Sequence, residues 1–370
     1  MSRIVAIAVS VATVLIFLSI NVSAHPPWGI AIDNQGQVYV SDLETIWKID
    51  AQGRQSVFRA GVSGRHTHEL TIDEGGNLYG EDLSYEPSTQ RYITAIWKMT
   101  PAGNFSYVLA PTSNPPKGMS IWRDRNGNAY LAQWNNNSDQ QFFLLKRTPN
   151  GDVTTLIGSR KNGDEFRQVV LYDIGGMAFG TDGSLYVTDR ANIHKVTMAG
   201  EVTTMARNIA AESSTNQIGK SSNTSLMGLT VDSAGNVYAA DFGNRRVLKI
   251  TPGGSITTLL RAEESWSPTG VAFRNGELYI LESGNAPQHP RVRKLSAGGK
   301  VSVLATIGES TTPSVAATPV GKNVESVAAP KESAWYTLIG LCAGVFALSF
   351  VVWRIRKKKV AELSEGETHH

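Results

Sequence analysis

MGLTVDSAGNVYAADFGNRRVLKITPGGSITTLL, running from Met227 to Leu260, alternates four β-prone runs with short turns. MGLTVD reads as one strand, VYAAD as a second, RVLKIT as a third and SITTLL as a fourth. Val, Ile, Tyr and Thr fill these runs, as a pleated and half-buried surface prefers. SAGN and PGG supply the first and last connections, with glycines where a tight hairpin needs a positive φ. FGNR joins the second run to the third. The unit predicts an antiparallel four-stranded meander, strands a to d.

The same landmarks recur in six copies between His25 and Gly308. Gly-x-x-Tyr occurs at Gly36/Tyr39, Gly76/Tyr79, Gly127/Tyr130, Gly183/Tyr186, Gly235/Tyr238 and Gly276/Tyr279. Lys-x4-Gly follows each of them, at Lys48/Gly53, Lys98/Gly103, Lys146/Gly151, Lys195/Gly200, Lys249/Gly254 and Lys294/Gly299. Four-stranded units of ~40–50 residues in tandem are the signature of a β-propeller. A sandwich of unrelated hairpins has no need of the same landmarks in every unit. The expected fold is all-β: a six-bladed β-propeller of four-stranded antiparallel blades over residues 25–308. Each copy holds its own four strands, so no strand exchange between the ends is required. A chain 41% hydrophobic and 18% charged can bury the core this needs. The single cysteine, Cys342, excludes a disulfide framework or a thiolate metal cage.

GLTVDSAGNVYAADFGNRRVLKITPGG and the first copy, GIAIDNQGQVYVSD, resemble the NHL repeat, within the gluconolactonase/NHL-like superfamily of six-bladed propellers. The resemblance covers about 280 residues. It implies the propeller and says little of activity. Copies three and six depart from it, with Gln133 and Glu282 where the others place Asp.

Loop length points to one face. The a–b and c–d turns are short in every copy, whereas the b–c and d–a connections are long and variable. Alternating strand direction puts all the long ones on the same side, where binding usually resides. SYEPSTQRYITA, QWNNNSDQQFF, SRKNGDEFRQVVLYD, RNIAAESSTNQIGKSSNTSL and ESGNAPQHPR read as these loops, rich in aromatic and amide groups. At the channel mouth, copy two has Glu69 where other copies start strand a with Gly29, Gly176, Gly228 or Gly270. His66 and His68 precede it, and Asp82, Gln133, Asp189, Asp241 and Glu282 end the b strands. With Trp134, Arg190 and Asn244 beside them, these are the candidate ligand contacts. An Asp at a strand end also caps the amides of its own loop, so a structural role competes at each acid.

The first functional reading is a protein-, peptide- or carbohydrate-binding module. The second, implied by the superfamily resemblance, is a metal-assisted lactonase or hydrolase. Glu69, Asp82, Asp189 and Asp241 would then hold Ca2+ or another divalent cation, which hard oxygen ligands suit. The N-terminal Glu of that family's pattern falls here at Trp28-Gly29, where there is no acid. The zinc-lyase pattern, which needs about three histidines from different blades, is not visible in His25, His66, His68, His194 and His289. No G-x-S-x-G elbow and no phosphate-binding loop occur.

The two ends read as addresses. Residues 1–24 have Arg3, an apolar run and Val22-Ser23-Ala24, the form of a signal peptide cleaved before His25. Residues 309–333, rich in Ser, Thr, Ala and Pro, read as a linker. Residues 334–353 carry no charge and are long enough, at ~30 Å, to span a bilayer. Arg354, Arg356, Lys357, Lys358 and Lys359 follow and place the tail, 354–370, in the cytoplasm. The expectation is a single-pass protein of the cell membrane with its propeller outside the cytoplasm. The formal charge of +3 arises from Arg3 and this tail, leaving the rest balanced and giving no footprint for nucleic acid.

Overall fold

The computed structural model describes residues 26–73, 75–134, 142–157, 174–189, 191–209, 226–285 and 289–309. Blade 1 is β1 (Ile30–Ile32), β2 (Val38–Ser41), β3 (Ile46–Ile49) and β4 (Gln55–Arg59). Blade 2 is β5 (Arg65–Ile72), β6 (Leu78–Glu86), β7 (Arg91–Met99) and β8 (Phe105–Thr112). Blade 3 has β9 (Ala129–Trp134), β10 (Phe142–Arg147) and β11 (Val153–Ile157). Blade 4 is β12 (Met177–Phe179), β13 (Leu185–Asp189), β14 (Asn192–Val196) and β15 (Val202–Ala206). Blade 5 is β16 (Leu226–Val231), β17 (Val237–Asp241), β18 (Arg246–Ile250) and β19 (Ile256–Arg261). Blade 6 is β20 (Trp266–Arg274), β21 (Glu277–Gly284), β22 (Arg291–Leu295) and β23 (Val301–Thr306). Each sheet runs in chain order and is antiparallel throughout.

Five blades have the expected four strands, and the third has three. Its innermost segment is reduced to an Arg123–Ala129 bridge and a bond from the Tyr130 amide to the Trp122 carbonyl. Pro115 and Pro116 lie just before that segment and remove two backbone donors. The repeated landmarks have physical roles. All 12 turn glycines take φ between +75° and +98°. Asp33, Asp73, Asp124 and Asp232 each accept from the tyrosine hydroxyl of their blade, at 2.9–3.1 Å. Burial, followed by the effect of its Asp partner, pushes the Tyr238 hydroxyl up to about 12. The repeated lysine lies 5.6–5.9 Å from the same tyrosine ring in all six blades, a cation–π contact.

Buried apolar side chains gather into six clusters among the described residues, one between each pair of neighbouring blades. Ring closure uses the same device. Val38 and Val40 of blade 1 pack with Leu281 and Val292 of blade 6. Arg274 bonds Asn34 at 3.0 and 3.1 Å, and the Gln55 side chain donates to the Thr306 carbonyl at 2.6 Å. Blades 1 and 6 each contain all four of their own strands, so the ring closes by packing between complete sheets.

The signal segment, most of the linker, the membrane span and the tail read in the sequence lie outside the described residues. No helix among the described residues is long and apolar enough to cross a membrane.

Candidate functional site

The innermost strands converge on the propeller axis, and most of them begin with glycine because space runs out there. A Cβ on Gly228 would stand 2.8 Å from the Cα of Gly270, and one on Gly176 would strike the Met227 carbonyl. Blades 1, 2 and 3 put large side chains in the same ring. Trp28, Glu69 and Trp122, with Gly176, Gly228 and Val271, line an axial cavity of about 30 Å³. That volume holds about one water.

Glu69 sits between the two indoles. Trp122 Nε1 donates to its Oε2 at 3.0 Å, and the Trp28 indole lines the same cavity. Burial holds the Glu69 carboxyl above the usual carboxylate range, and the Trp122 bond pulls the other way. His68 stacks on Trp28 at 4.9 Å, and His66 meets His68 edge-on at 5.8 Å. A β-bulge places His68 and Glu69 together opposite Glu81, between the Thr67–Asp82 and Leu70–Gly80 pairs. Burial first, then the charges of Glu69 and Asp82, push the Glu81 carboxyl up to about 7.

The acids that end the b strands are engaged within the ring. Asp82 receives both guanidinium nitrogens of Arg59, at 2.8 and 2.5 Å, the Thr67 hydroxyl at 2.7 Å and Trp97 Nε1 at 2.8 Å. Arg59 also lies 4.8 Å over the Trp97 ring. Asp189 lies 3.6 Å from His194 Nε2, whose Nδ1 is 3.0 Å from the Thr204 hydroxyl. Asp241 accepts from Arg246 and from Asn244 at 2.8 Å each. Glu282 takes Arg291 at 2.7 Å and Arg293 at 3.3 Å. Asp42 caps the amides of Glu44 and Thr45 and accepts from Trp47. Gln133 is exposed at the end of β9. The four expected metal ligands, Glu69, Asp82, Asp189 and Asp241, are therefore not brought together. Among the described residues no group of three or more His, Cys, Asp or Glu side chains forms a metal site. An indole holds Glu69, arginines hold Asp82 and Asp241, and a histidine lies beside Asp189, so no step through a bound cation follows from them.

The long-loop face differs from the sequence reading in blade 2. SYEPSTQRYITA is not a loop: β6 and β7 continue through it as a tall hairpin, leaving only residues 87–90 as the turn. Tyr85 and Tyr92 are cross-strand partners near its tip, with rings 5.3 Å apart. They are 52% and 62% exposed. Of the remaining candidates, Arg190 and the Trp134 side chain lie outside the described residues, as do residues 135–141, 158–173, 210–225 and 286–288. Trp28, Trp122, Arg59 and the Tyr85–Tyr92 pair were not singled out from sequence. Their significance depends on neighbours in other strands or blades.

No family model matches the chain, and no curated protein matches it. Solved structures do. Virginiamycin B lyase from Staphylococcus aureus is 17% identical over 75% of this chain and 83% of its own, with a TM-score of 0.45. The calcium-binding protein regucalcin from Agrobacterium tumefaciens is 14% identical over 69% of this chain and 81% of its own, with a TM-score of 0.45. A chain of a nidogen/laminin complex is 15% identical over 72% of this chain and 91% of its own, with a TM-score of 0.44. These similarities transfer no activity, and the fold rests on the strand order itself. By that order, its register and its ring closure, the chain is a six-bladed β-propeller.

Proposed function

We propose that the chain is a membrane-anchored, extracytoplasmic binding module that holds a protein or peptide partner on its long-loop face. The carrying observation is the β6–β7 hairpin, which raises Tyr85 and Tyr92 into solvent as an adjacent pair. Exposed tyrosines on a rigid support are typical anchors of protein interfaces, with an apolar ring and a hydroxyl for a rim hydrogen bond. An axial cavity of about 30 Å³ leaves no room for a sugar lactone among the inner strands, which favours recognition at the surface. Carbohydrate is the alternative ligand for the same face. The sequence of residues 1–24 and 334–353 supports the anchoring and the orientation.

The test is a photo-crosslinking amino acid placed at Tyr92, and separately at Asn34 on the short-turn face, in cells. A discrete adduct from position 92 that is absent from position 34 and lost on Tyr85→Ala supports the reading. Equal or absent labelling at the two positions refutes it. The metal-assisted hydrolase reading keeps one favourable observation, the buried Glu69 facing Glu81 across the bulge. A stoichiometric divalent ion in the purified chain, lost on Glu69→Ala, would favour it instead.

A further inference from the structure

Blade 4 breaks a rule that the other blades keep at the short-turn face. In blades 1, 2, 3 and 5 an Asp opens the a–b turn and accepts the tyrosine hydroxyl, and in blade 6 Glu277 accepts from Tyr279 at 2.9 Å. Blade 4 has Gly180 at the Asp position. Asp182 turns instead to Lys195, at 2.6 Å, and to the Ser184 amide, at 3.0 Å. Across the groove the size of the facing residue varies between blades. Tyr130 meets Phe179 of the next blade at 5.3 Å, and Tyr238 stacks on Phe273 of the next blade at 4.8 Å. The residue in that register beside Tyr186 is Val231, which is smaller. A cavity of about 470 Å³ lies between blades 4 and 5, with Gly180, Asp182, Tyr186 and Lys195 on one side and Asp232 on the other. That lies within the range of roughly 300–1,000 Å³ for small-molecule sites.

The lining determines the ligand class. Lys195 and Asp182 form an ion pair that faces solvent, 32% and 47% exposed. Together they offer a donor and an acceptor side by side. The Thr203 hydroxyl adds a group able to do both, and Tyr186, Met205 and Pro252 supply an apolar wall. The Asp232 carboxylate is already taken by Tyr238, Asn236 and the turn amides. A charged ligand would have to break the Lys195–Asp182 pair. Vicinal hydroxyls need not, since one accepts from the ammonium while its neighbour donates to the carboxylate, both charge-assisted. We propose that this cavity binds a neutral pyranose sugar, its hydroxyls on Lys195 and Asp182 and its C–H face on Met205 and Pro252. The site is on the face opposite the tyrosine hairpin and is independent of the partner bound there.

Methionine-methyl NMR of the purified full chain reads the two cavities separately. Met205 lines this one, and Met177 lines the axial one. Glucose, galactose, mannose and N-acetylglucosamine are titrated at millimolar concentration. At least one of them should shift the Met205 methyl saturably and leave Met177 unmoved. Thr203 is exposed on the outer strand, so Thr203→Trp should fold normally, fill the cavity and abolish the shift. Lys195→Met should weaken binding by about tenfold, one charge-assisted hydrogen bond. No Met205 shift with any of the four sugars, a shift that persists in Thr203→Trp, or equal movement of Met177 would overturn the proposal. Tyr85→Ala should change none of these readings, which separates them from the fate of the long-loop face.

Discussion

Glu81→Gln should make the propeller more stable at pH 8 and flatten its dependence on pH. Glu81 faces Glu69 across the β5 bulge, is followed by Asp82 on β6, and lies near His68 and His66 on the same bulged strand. Arg59, from β4, is bidentate on the neighbouring Asp82. Burial and the two carboxylates push Glu81 from an ordinary 4.5 up to about 7. A carboxyl with a raised pKa in the folded state binds its proton more tightly there than in the unfolded chain. Stability is therefore greatest below about 4.5 and is lost as the pH rises to about 7. At about 1.4 kcal/mol per pKa unit, the full penalty at pH 8 would be about 3 kcal/mol. Residual exposure of the carboxyl reduces the expectation to about 1–3 kcal/mol. Urea unfolding of wild type and Glu81→Gln at pH 5 and pH 8 measures it by difference, which cancels every group that titrates alike in both. The variant should gain stability relative to wild type at pH 8 and much less at pH 5. Parallel losses between the two pH values would refute the assignment of this strain to Glu81.

Arg59→Ala should cost about 3–5 kcal/mol by urea unfolding, because it strands the buried Asp82 carboxylate. The loss should be largely relieved when Asp82→Asn is added. Tyr238→Phe removes a hydroxyl from Asp232 and should cost about 1–2 kcal/mol. Tyr186→Phe, in the one blade without an acid on its tyrosine hydroxyl, should cost less. N-terminal sequencing of the mature chain should begin at His25 if residues 1–24 are a cleaved signal.

The fold was legible because its landmarks are imposed by the backbone and by local packing. A turn glycine with φ near +80°, the tyrosine two or three residues into the next strand, and the lysine that covers its ring recur wherever a blade does. The candidate site was less legible, for a non-local reason. Asp82 looks the same in sequence whether it faces a ligand or a cation, and its cation, Arg59, comes from the preceding blade. The indoles beside Glu69 likewise arrive from blades 1 and 3. Blade 2's long connection was misjudged by treating insertion as loop. Ser84-Tyr85 and Tyr92-Ile93-Thr94 flank a Pro-Ser-Thr turn, and those residue types favour a continued hairpin. In blade 3 the reverse holds: the expected innermost strand has lost most of its ladder behind two prolines.

Blade 2 concentrates these departures, and an energetic asymmetry connects its hairpin to binding. β6 and β7 have nine residues each, whereas the matching strands of blade 4 have five. The added residues carry the Tyr85–Tyr92 pair beyond the inter-blade clusters, where the two rings lie 5.3 Å apart and more than half exposed. Such a cross-strand pair contributes roughly 0.2–1 kcal/mol to folding. A partner covering roughly 150 Å² of the remaining ring surface would gain about 4 kcal/mol at 25 cal/mol per Å². The pair thus has more to give to association than to the stability of the ring. The double variant Tyr85→Ala/Tyr92→Ala should lower unfolding stability by less than about 1 kcal/mol while abolishing the cross-linked adduct formed at the hairpin, read from a probe at Arg91. A large stability loss with the adduct retained would assign the tyrosines to the fold and remove the case for this hairpin as the docking element.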